Sequence, residues 1–76
     1  GGAWYIQAGS FASEANAAHL QQSLAGIGGT DVSEIERNGK TWFRVRSGPF
    51  ATRAEAQAAL PQAQSLGADG AHLVKE

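Results

Sequence analysis

The sequence contains no cysteine. This absence excludes disulfides, thiolate metal sites and catalysis by a cysteine nucleophile. It leaves the compartment open, because a domain without cysteine folds in reducing and in oxidising surroundings alike. The chain also lacks any apolar run near the roughly 20 residues that a membrane-spanning helix needs, so we expect no direct membrane insertion.

Charged residues are scarce, at 17% of the chain, and the formal net charge is −1. The chain therefore lacks the general basic surplus that attracts nucleic acid or anionic lipid. The 76 residues, 42% of them hydrophobic, fit one small folded domain. We interpret residues 1–3 as a linker remnant and residues 4–76 as the domain, one module of a longer protein whose export signal lies elsewhere. Four cations nevertheless fall close together in sequence, namely Arg37, Lys40, Arg44 and Arg46.

An internal repeat organises the chain. Residues 4–11 and residues 42–50 each contain an alternating segment, a glycine and an aromatic residue, and an alanine-rich segment follows each of them. Two copies of this kind indicate a duplicated strand-helix-strand unit and not a solenoid. At an offset of 39 positions the matching pairs are Ile6 with Val45, Gly9 with Gly48, and Phe11 with Phe50.

Local signals predict the elements of the first half. Residues 3–9 alternate as a strand, and Ser13 is suited to cap a helix whose apolar stripe continues to Ile27. Glycines at 26, 28 and 29 end that helix. Residues 31–37 predict a second strand, in which the spacing of Val32 and Ile35 breaks strict alternation and indicates a bulge.

The second half begins with a hairpin signal. Asn38-Gly39 predicts a type I′ turn into a third strand over residues 41–47. Thr52, with Glu55 three residues later, predicts the capping box of a second helix. Pro61 predicts a kink or a restart in that helix, because proline cannot donate to the carbonyl four residues earlier. Gly67 or Gly70 ends the segment, and residues 71–74 predict a short last strand.

The order β-α-β-β-α-β predicts an α+β fold of the ferredoxin or RNP-like kind, with a four-stranded antiparallel sheet and both helices on one face. Alternation places Trp4, Ile6 and Ala8, like Phe43 and Val45, under the helices. Ser10 is expected at the rim of the sheet. The face left open to water is then predicted to carry Tyr5, Gln7, Gly9, Trp42, Arg44 and Arg46.

Five residues of this face and its rim are candidates for recognition, each with a purely structural alternative. Trp42 is either a cross-strand packing partner or a platform for a flat ligand or a sugar face. Arg44 and Arg46 either solvate the face or offer a guanidinium fork to a carboxylate. Gln7 is either a neutral residue on a solvated face or a ligand contact that donates and accepts at once, as hydroxyl and acetamide groups require. Ser10 either stabilises a turn or reaches a ligand with its hydroxyl.

Nothing in the sequence predicts a reaction centre, a metal site or a cofactor site. His19 and His72 stand alone, without cysteine or clustered carboxylates, and are expected at the surface. The glycines at 26–29 follow a helix, whereas the glycines of a phosphate loop precede one. We therefore expect a domain that is not an enzyme.

The chain resembles the SPOR domain, the bacterial peptidoglycan-binding module, over residues 4 to about 75. Three segments carry the resemblance: YIQAGSF at 5–11, NGKTWFRV at 38–45 and SGPF at 47–50. The resemblance implies the same fold and, on the matching positions, glycan contacts by Gln7, Ser10, Trp42 and Arg44, with Tyr5 and Arg46 beside them.

The function that the resemblance implies is binding without catalysis. The partner would be peptidoglycan glycan strands of N-acetylglucosamine and N-acetylmuramic acid that lack stem peptides. Such a module would act as a monomer in the bacterial periplasm or cell envelope, and would direct its parent protein, which can carry a separate catalytic domain, to the division septum.

Two other interpretations use the same open face. One is single-stranded RNA binding, since sheet-face aromatics serve that purpose on a related topology. The acidic balance and the absence of a basic-aromatic RNP signature from the third strand count against this interpretation. The other is a protein-interaction module.

Overall fold

A computed structural model describes residues 2–76 of the chain. The predicted order of strands and helices is confirmed, and the fold is α+β. The interpretation of Gly1 as linker lies outside the described residues. The elements are β1 (Trp4–Phe11), α1 (Glu14–Ser23), a short 3₁₀ turn (Ala25–Ile27), β2 (Thr30–Arg37), β3 (Lys40–Phe50), α2 (Arg53–Ser65) and β4 (His72–Lys75).

The four strands form one antiparallel sheet in the order β2-β3-β1-β4. The repeated strands β1 and β3 are therefore neighbours at the centre, as the duplicated unit predicts. The strands β2 and β4 form the two edges. Ala3 continues the pairing beyond β1, since its N–H donates to the Glu76 carbonyl at 2.7 Å and its carbonyl accepts from the Glu76 N–H at 2.8 Å.

Both helices begin at the predicted capping residues. The Ser13 hydroxyl accepts from the Asn16 N–H at 3.3 Å, and the Thr52 hydroxyl accepts from the Glu55 N–H at 3.1 Å. Each hydroxyl satisfies one of the backbone donors that a helix start leaves free. The helix α1 ends at Ser23, earlier than its apolar stripe suggests, because residues 25–27 tighten into the 3₁₀ turn.

The second helix continues through Pro61 without interruption to Ser65, so it does not restart there. The Ser65 hydroxyl donates to the Pro61 carbonyl at 3.0 Å. Gln57, whose carbonyl loses its helical donor at this proline, is exposed and can bond to water instead. The segment ends at Gly67, which has a φ of 119°.

The core lies between the helices and one face of the sheet. Ile6, Leu24 and Val45 are its largest completely buried apolar side chains. Alanines dominate the helix surfaces that cover them, and small side chains let the helices approach the sheet closely. Among residues 2–76, Ser47 is the only polar residue that is buried. Its hydroxyl lies 2.9 Å from the hydroxyl of Thr30.

The predicted bulge in the second strand is wrong. β2 pairs with β3 residue by residue from Thr30 to Arg37, without a register shift. Val32 lies opposite Val45 and packs against the core, whereas Ile35 lies opposite Trp42. The two apolar residues of β2 therefore belong to opposite faces of a regular strand, and Ile35 belongs to the face that the helices leave bare.

Candidate functional site

The sheet face away from the helices, called the open face below, is defined by the alternation of the strands and their register. Val45 is buried under the helices, so its β3 neighbours on either side point the other way. Cross-strand partners share a face, which extends the assignment to the other strands. The open face comprises Tyr5, Gln7 and Ser10 of β1, Asp31, Ser33, Ile35 and Arg37 of β2, Lys40, Trp42, Arg44 and Arg46 of β3, and His72 and Val74 of β4.

A bulge in β1 brings Ser10 onto the open face. Gln7 pairs with Arg46 and Gly9 pairs with Val45, so Ala8 has no partner of its own on β3. The extra residue reverses the alternation, and Ser10 lies opposite Arg44.

The same bulge makes the predicted orientation of Gly9 wrong. A Cβ at this glycine would lie 3.2 Å from the Phe11 ring and 3.6 Å from Leu20 of α1, so the position faces the helices. The absence of a side chain leaves room there for the aromatic ring. Gln7 and Ser10, three residues apart, thereby share one face.

Trp42 lies on the open face and not beneath a helix. It is half-buried, its cross-strand partner is Ile35, and the next residue Phe43 packs into the core instead. Ile35 and Trp42 are an aromatic and β-branched pair on the same face, a combination that stabilises neighbouring strands. Trp42 therefore combines the packing role with an indole surface that remains open to a ligand.

The two arginines at the centre of the open face, Arg44 and Arg46, have different environments. The guanidinium of Arg46 lies 4.6 Å from the centre of the Tyr5 ring and forms an ion pair with Glu76 at 2.6 Å. The Arg46 side chain is only 10% exposed. This arginine is held by a cation–π contact and by the Glu76 carboxylate, which occupies one of its terminal nitrogens.

Arg44 has no such partner. It lies between Ser10 on β1 and Ser33 on β2, and no ion pair involves it within residues 2–76. Its Nε is buried and has no hydrogen-bond partner, and the same is true of the Arg46 Nε. A planar guanidinium with unused donors at the centre of the sheet is suited to a carboxylate ligand.

A shallow pocket of about 410 Å³ lies at the hairpin end of the open face. Its volume falls within the range of about 300–1,000 Å³ that is typical of small-ligand sites. Trp42 and Ile35 supply apolar surface, and the other lining residues are polar or cationic. The lining residues are Ser10, Ile35, Arg37, Asn38, Lys40 and Trp42.

Of the six residues predicted for the site, all lie on the open face, and two of them, Ser10 and Trp42, line the pocket. Sequence reasoning did not assign the pocket residues Ile35, Arg37 and Lys40 to the site. A regular alternation of β2 assigns Ile35 to the open face, and the hairpin pairing assigns Arg37 and Lys40 to the same face. The cluster of basic residues in the sequence was the available signal for the two cations.

The described residues contain no group of three or more histidine, cysteine or carboxylate side chains that could hold a metal ion. Both histidines are exposed, and the His72 Nδ1 lies 3.3 Å from the Gly70 carbonyl. No helix within residues 2–76 has the length and hydropathy that crossing a bilayer requires.

Comparison with known proteins points to one family. The family model of the SPOR domain matches residues 1–75. The crystal structure of the RlpA SPOR domain from Pseudomonas aeruginosa superposes with a TM-score of 0.86 at 27% identity, and the match covers 96% of this chain and 99% of that one. The solution structure of the peptidoglycan binding domain of the B. subtilis cell wall lytic enzyme CwlC gives a TM-score of 0.71 at 27% identity, over 100% of this chain and 91% of that one. No curated protein sequence matches the chain.

Proposed function

The chain belongs to the SPOR domain family, and we propose from this premise that it binds peptidoglycan without catalysing a reaction. A structural relative at 27% identity is named as a peptidoglycan binding domain. The observation that carries the proposal is the gathering of Gln7, Ser10, Trp42 and Arg44 on one sheet face that no helix covers.

The ligand that this face fits best is a glycan strand without stem peptides. Removal of the peptide from N-acetylmuramic acid leaves a free lactyl carboxylate, where an intact strand has an amide. The unpaired guanidinium of Arg44 would bond to that carboxylate, and a hydrogen bond between charged groups contributes about 1.5–3 kcal/mol. The affinity for stripped glycan therefore depends on a negative charge at the lactyl group, where intact glycan has a neutral amide.

The neighbouring residues supply the remaining contacts. Trp42 stacks on the apolar face of a sugar ring, while Gln7 and Ser10 bond to acetamide or hydroxyl groups. Arg46 supports this arrangement from its place between Tyr5 and Glu76.

Exclusion of peptide-bearing glycan follows from the same geometry. The central strands form a continuous floor beneath the ligand, and a stem peptide on the lactyl group would collide with that floor. It would also leave the Arg44 guanidinium desolvated without a charge partner. Selectivity thus arises from a repulsive contribution in addition to an attractive one.

Where such glycan accumulates, the domain would be retained. Amidases strip stem peptides while the septal wall is split, so the domain would direct its parent protein to the division septum. It would act there as a monomer in the cell envelope.

A pull-down on isolated sacculi tests the proposal. Wild-type protein is compared with Arg44→Ala on sacculi with and without amidase treatment. We expect amidase treatment to increase retention of the wild type and to have little effect on Arg44→Ala.

The matched control is Arg53→Ala, which removes the same charge from an exposed residue at the start of α2, on the helix side of the sheet. It should behave as wild type. Equal retention of all three proteins on both kinds of sacculi would contradict the proposal. Retention that survives digestion of the glycan would instead indicate a protein partner.

A further inference from the structure

We infer that Arg37 and Lys40 form a second anion subsite on the open face, which accepts the lactyl carboxylate of the next muramic acid along the same strand. This inference rests on the proposed function and deepens it. The domain would then recognise two consecutive muramic acids without stem peptides, and a single one would bind less tightly.

Two like charges lie opposite each other at the hairpin end of the open face. Arg37 and Lys40 are direct cross-strand partners that flank the turn Asn38-Gly39, whose φ angles of 55° and 78° confirm the predicted type I′ hairpin. Like charges directly opposite each other destabilise a sheet. No ion pair involves either cation within residues 2–76. An anionic ligand between them would remove this repulsion.

Both cations border the pocket at the hairpin end of the open face. Its volume of about 410 Å³ suits one sugar ring with a substituent. Trp42 and Ile35 form an apolar wall for the ring face, while Ser10 and Asn38 offer hydrogen bonds to its polar edge. A site with one apolar wall and two cations favours a carboxylate-bearing sugar over a neutral one.

The pocket and Arg44 are separated along β3 by a distance that suits a glycan. Lys40 and Arg44 lie four residues apart on β3, about 13 Å at a rise of roughly 3.3 Å per residue. Trp42 lies midway between them on the same face. One disaccharide of an extended glycan, the interval at which lactyl groups recur, is a few ångströms shorter, and the long side chains of Lys40 and Arg44 can bridge that difference. A strand that runs along β3 would therefore present one carboxylate to Arg44 and the next to the pocket.

Binding of stripped glycans of two lengths tests the inference. Dissociation constants are measured by calorimetry for a disaccharide with one muramic acid and a tetrasaccharide with two. For the wild type we expect the tetrasaccharide to bind about tenfold more tightly, as two exposed ion pairs allow, and the gain to shrink at high salt. In the double variant Arg37→Gln/Lys40→Gln the gain should fall to less than about twofold, with disaccharide affinity unchanged.

The control for net charge is Arg53→Gln/Lys75→Gln, which removes two cations that flank Trp4 on the helix side. This control variant should still bind the tetrasaccharide more tightly than the disaccharide, by the same factor as the wild type. A double variant at 37 and 40 that folds, by circular dichroism, and keeps the full gain would overturn the second subsite. A wild type that binds both sugars equally would overturn it too, while leaving the proposed function intact. A wild type that binds neither sugar would refute the proposed function itself.

Discussion

Ser47 and Thr30 form a hydrogen bond between their hydroxyls, and we predict that removing the Thr30 hydroxyl destabilises the protein more than removing the Ser47 hydroxyl. Ser47 is completely buried, and its only side-chain partner among the described residues is Thr30, at 2.9 Å. The Thr30 hydroxyl has a second partner, the Leu24 carbonyl at 3.2 Å. Removal of Thr30 therefore leaves a buried hydroxyl unpaired, whereas removal of the Ser47 hydroxyl does not.

The two single variants should differ accordingly. Thr30→Val keeps the shape of the side chain but leaves the Ser47 hydroxyl without a hydrogen-bond partner. An unsatisfied buried polar group lowers the free energy of unfolding by about 1–3 kcal/mol. The Leu24 carbonyl keeps a hydrogen-bond partner in this variant, because it also accepts from the Ile27 N–H at 3.0 Å. Ser47→Ala loses one bond of ordinary strength, about 0.5–1.5 kcal/mol. In the double variant no buried donor is left unpaired, so Thr30→Val should cost less in the Ser47→Ala background.

Urea denaturation of the wild type, the two single variants and the double variant, followed by circular dichroism, measures their free energies of unfolding. These four values complete a double-mutant cycle. In a domain of this size each kcal/mol also changes the melting temperature by roughly 4–8 °C. This prediction is refuted if Ser47→Ala destabilises the protein more than Thr30→Val does. It is refuted equally if the two effects simply add, since independent sites add and coupled ones do not.

Two further substitutions test the arrangement of the sheet. Glu76→Gln breaks the ion pair with Arg46; because Glu76 is 56% exposed, the cost should stay below about 1 kcal/mol and shrink at high salt, as salt titration of the unfolding midpoint will measure. Gly48→Ala should destabilise by about 1–3 kcal/mol, because φ is 134° there and a Cβ would lie 3.0 Å from both the Trp4 carbonyl oxygen and the Tyr5 ring. A thermal melt unchanged from wild type would contradict the second expectation.

The features that could be predicted from the sequence are those fixed by near neighbours. The Asn38-Gly39 turn requires two residues that tolerate positive φ, and both stand next to each other in the chain. The caps of the helices depend on hydroxyls three residues from the N–H groups they accept from. The faces of β3 follow from simple alternation around Val45. Each of these signals is complete within a few residues, so no knowledge of the packing is needed.

The features that sequence reasoning missed depend on contacts between distant segments. Ala8 has no partner on β3, and this extra residue turns Gly9 toward the Phe11 ring on the helix side. The alternation of residues in β1 alone does not reveal such a bulge. The engagement of Arg46 depends on Glu76, which continues β4 along the far side of β1. Ile35 could have been assigned correctly, had the spacing of apolar residues in β2 been interpreted as two faces instead of a bulge.

The central claim is that the open face, and not the helical side, binds glycan. Chemical-shift mapping of the ¹⁵N-labelled domain with a stripped tetrasaccharide tests it most directly. The account predicts perturbed amides along β1 and β3, strongest near Gln7, Ser10, Trp42 and Arg44, and a perturbed indole N–H of Trp42 with an unchanged one of Trp4. Perturbations confined to α1 and α2, or none at saturating ligand, would contradict the claim.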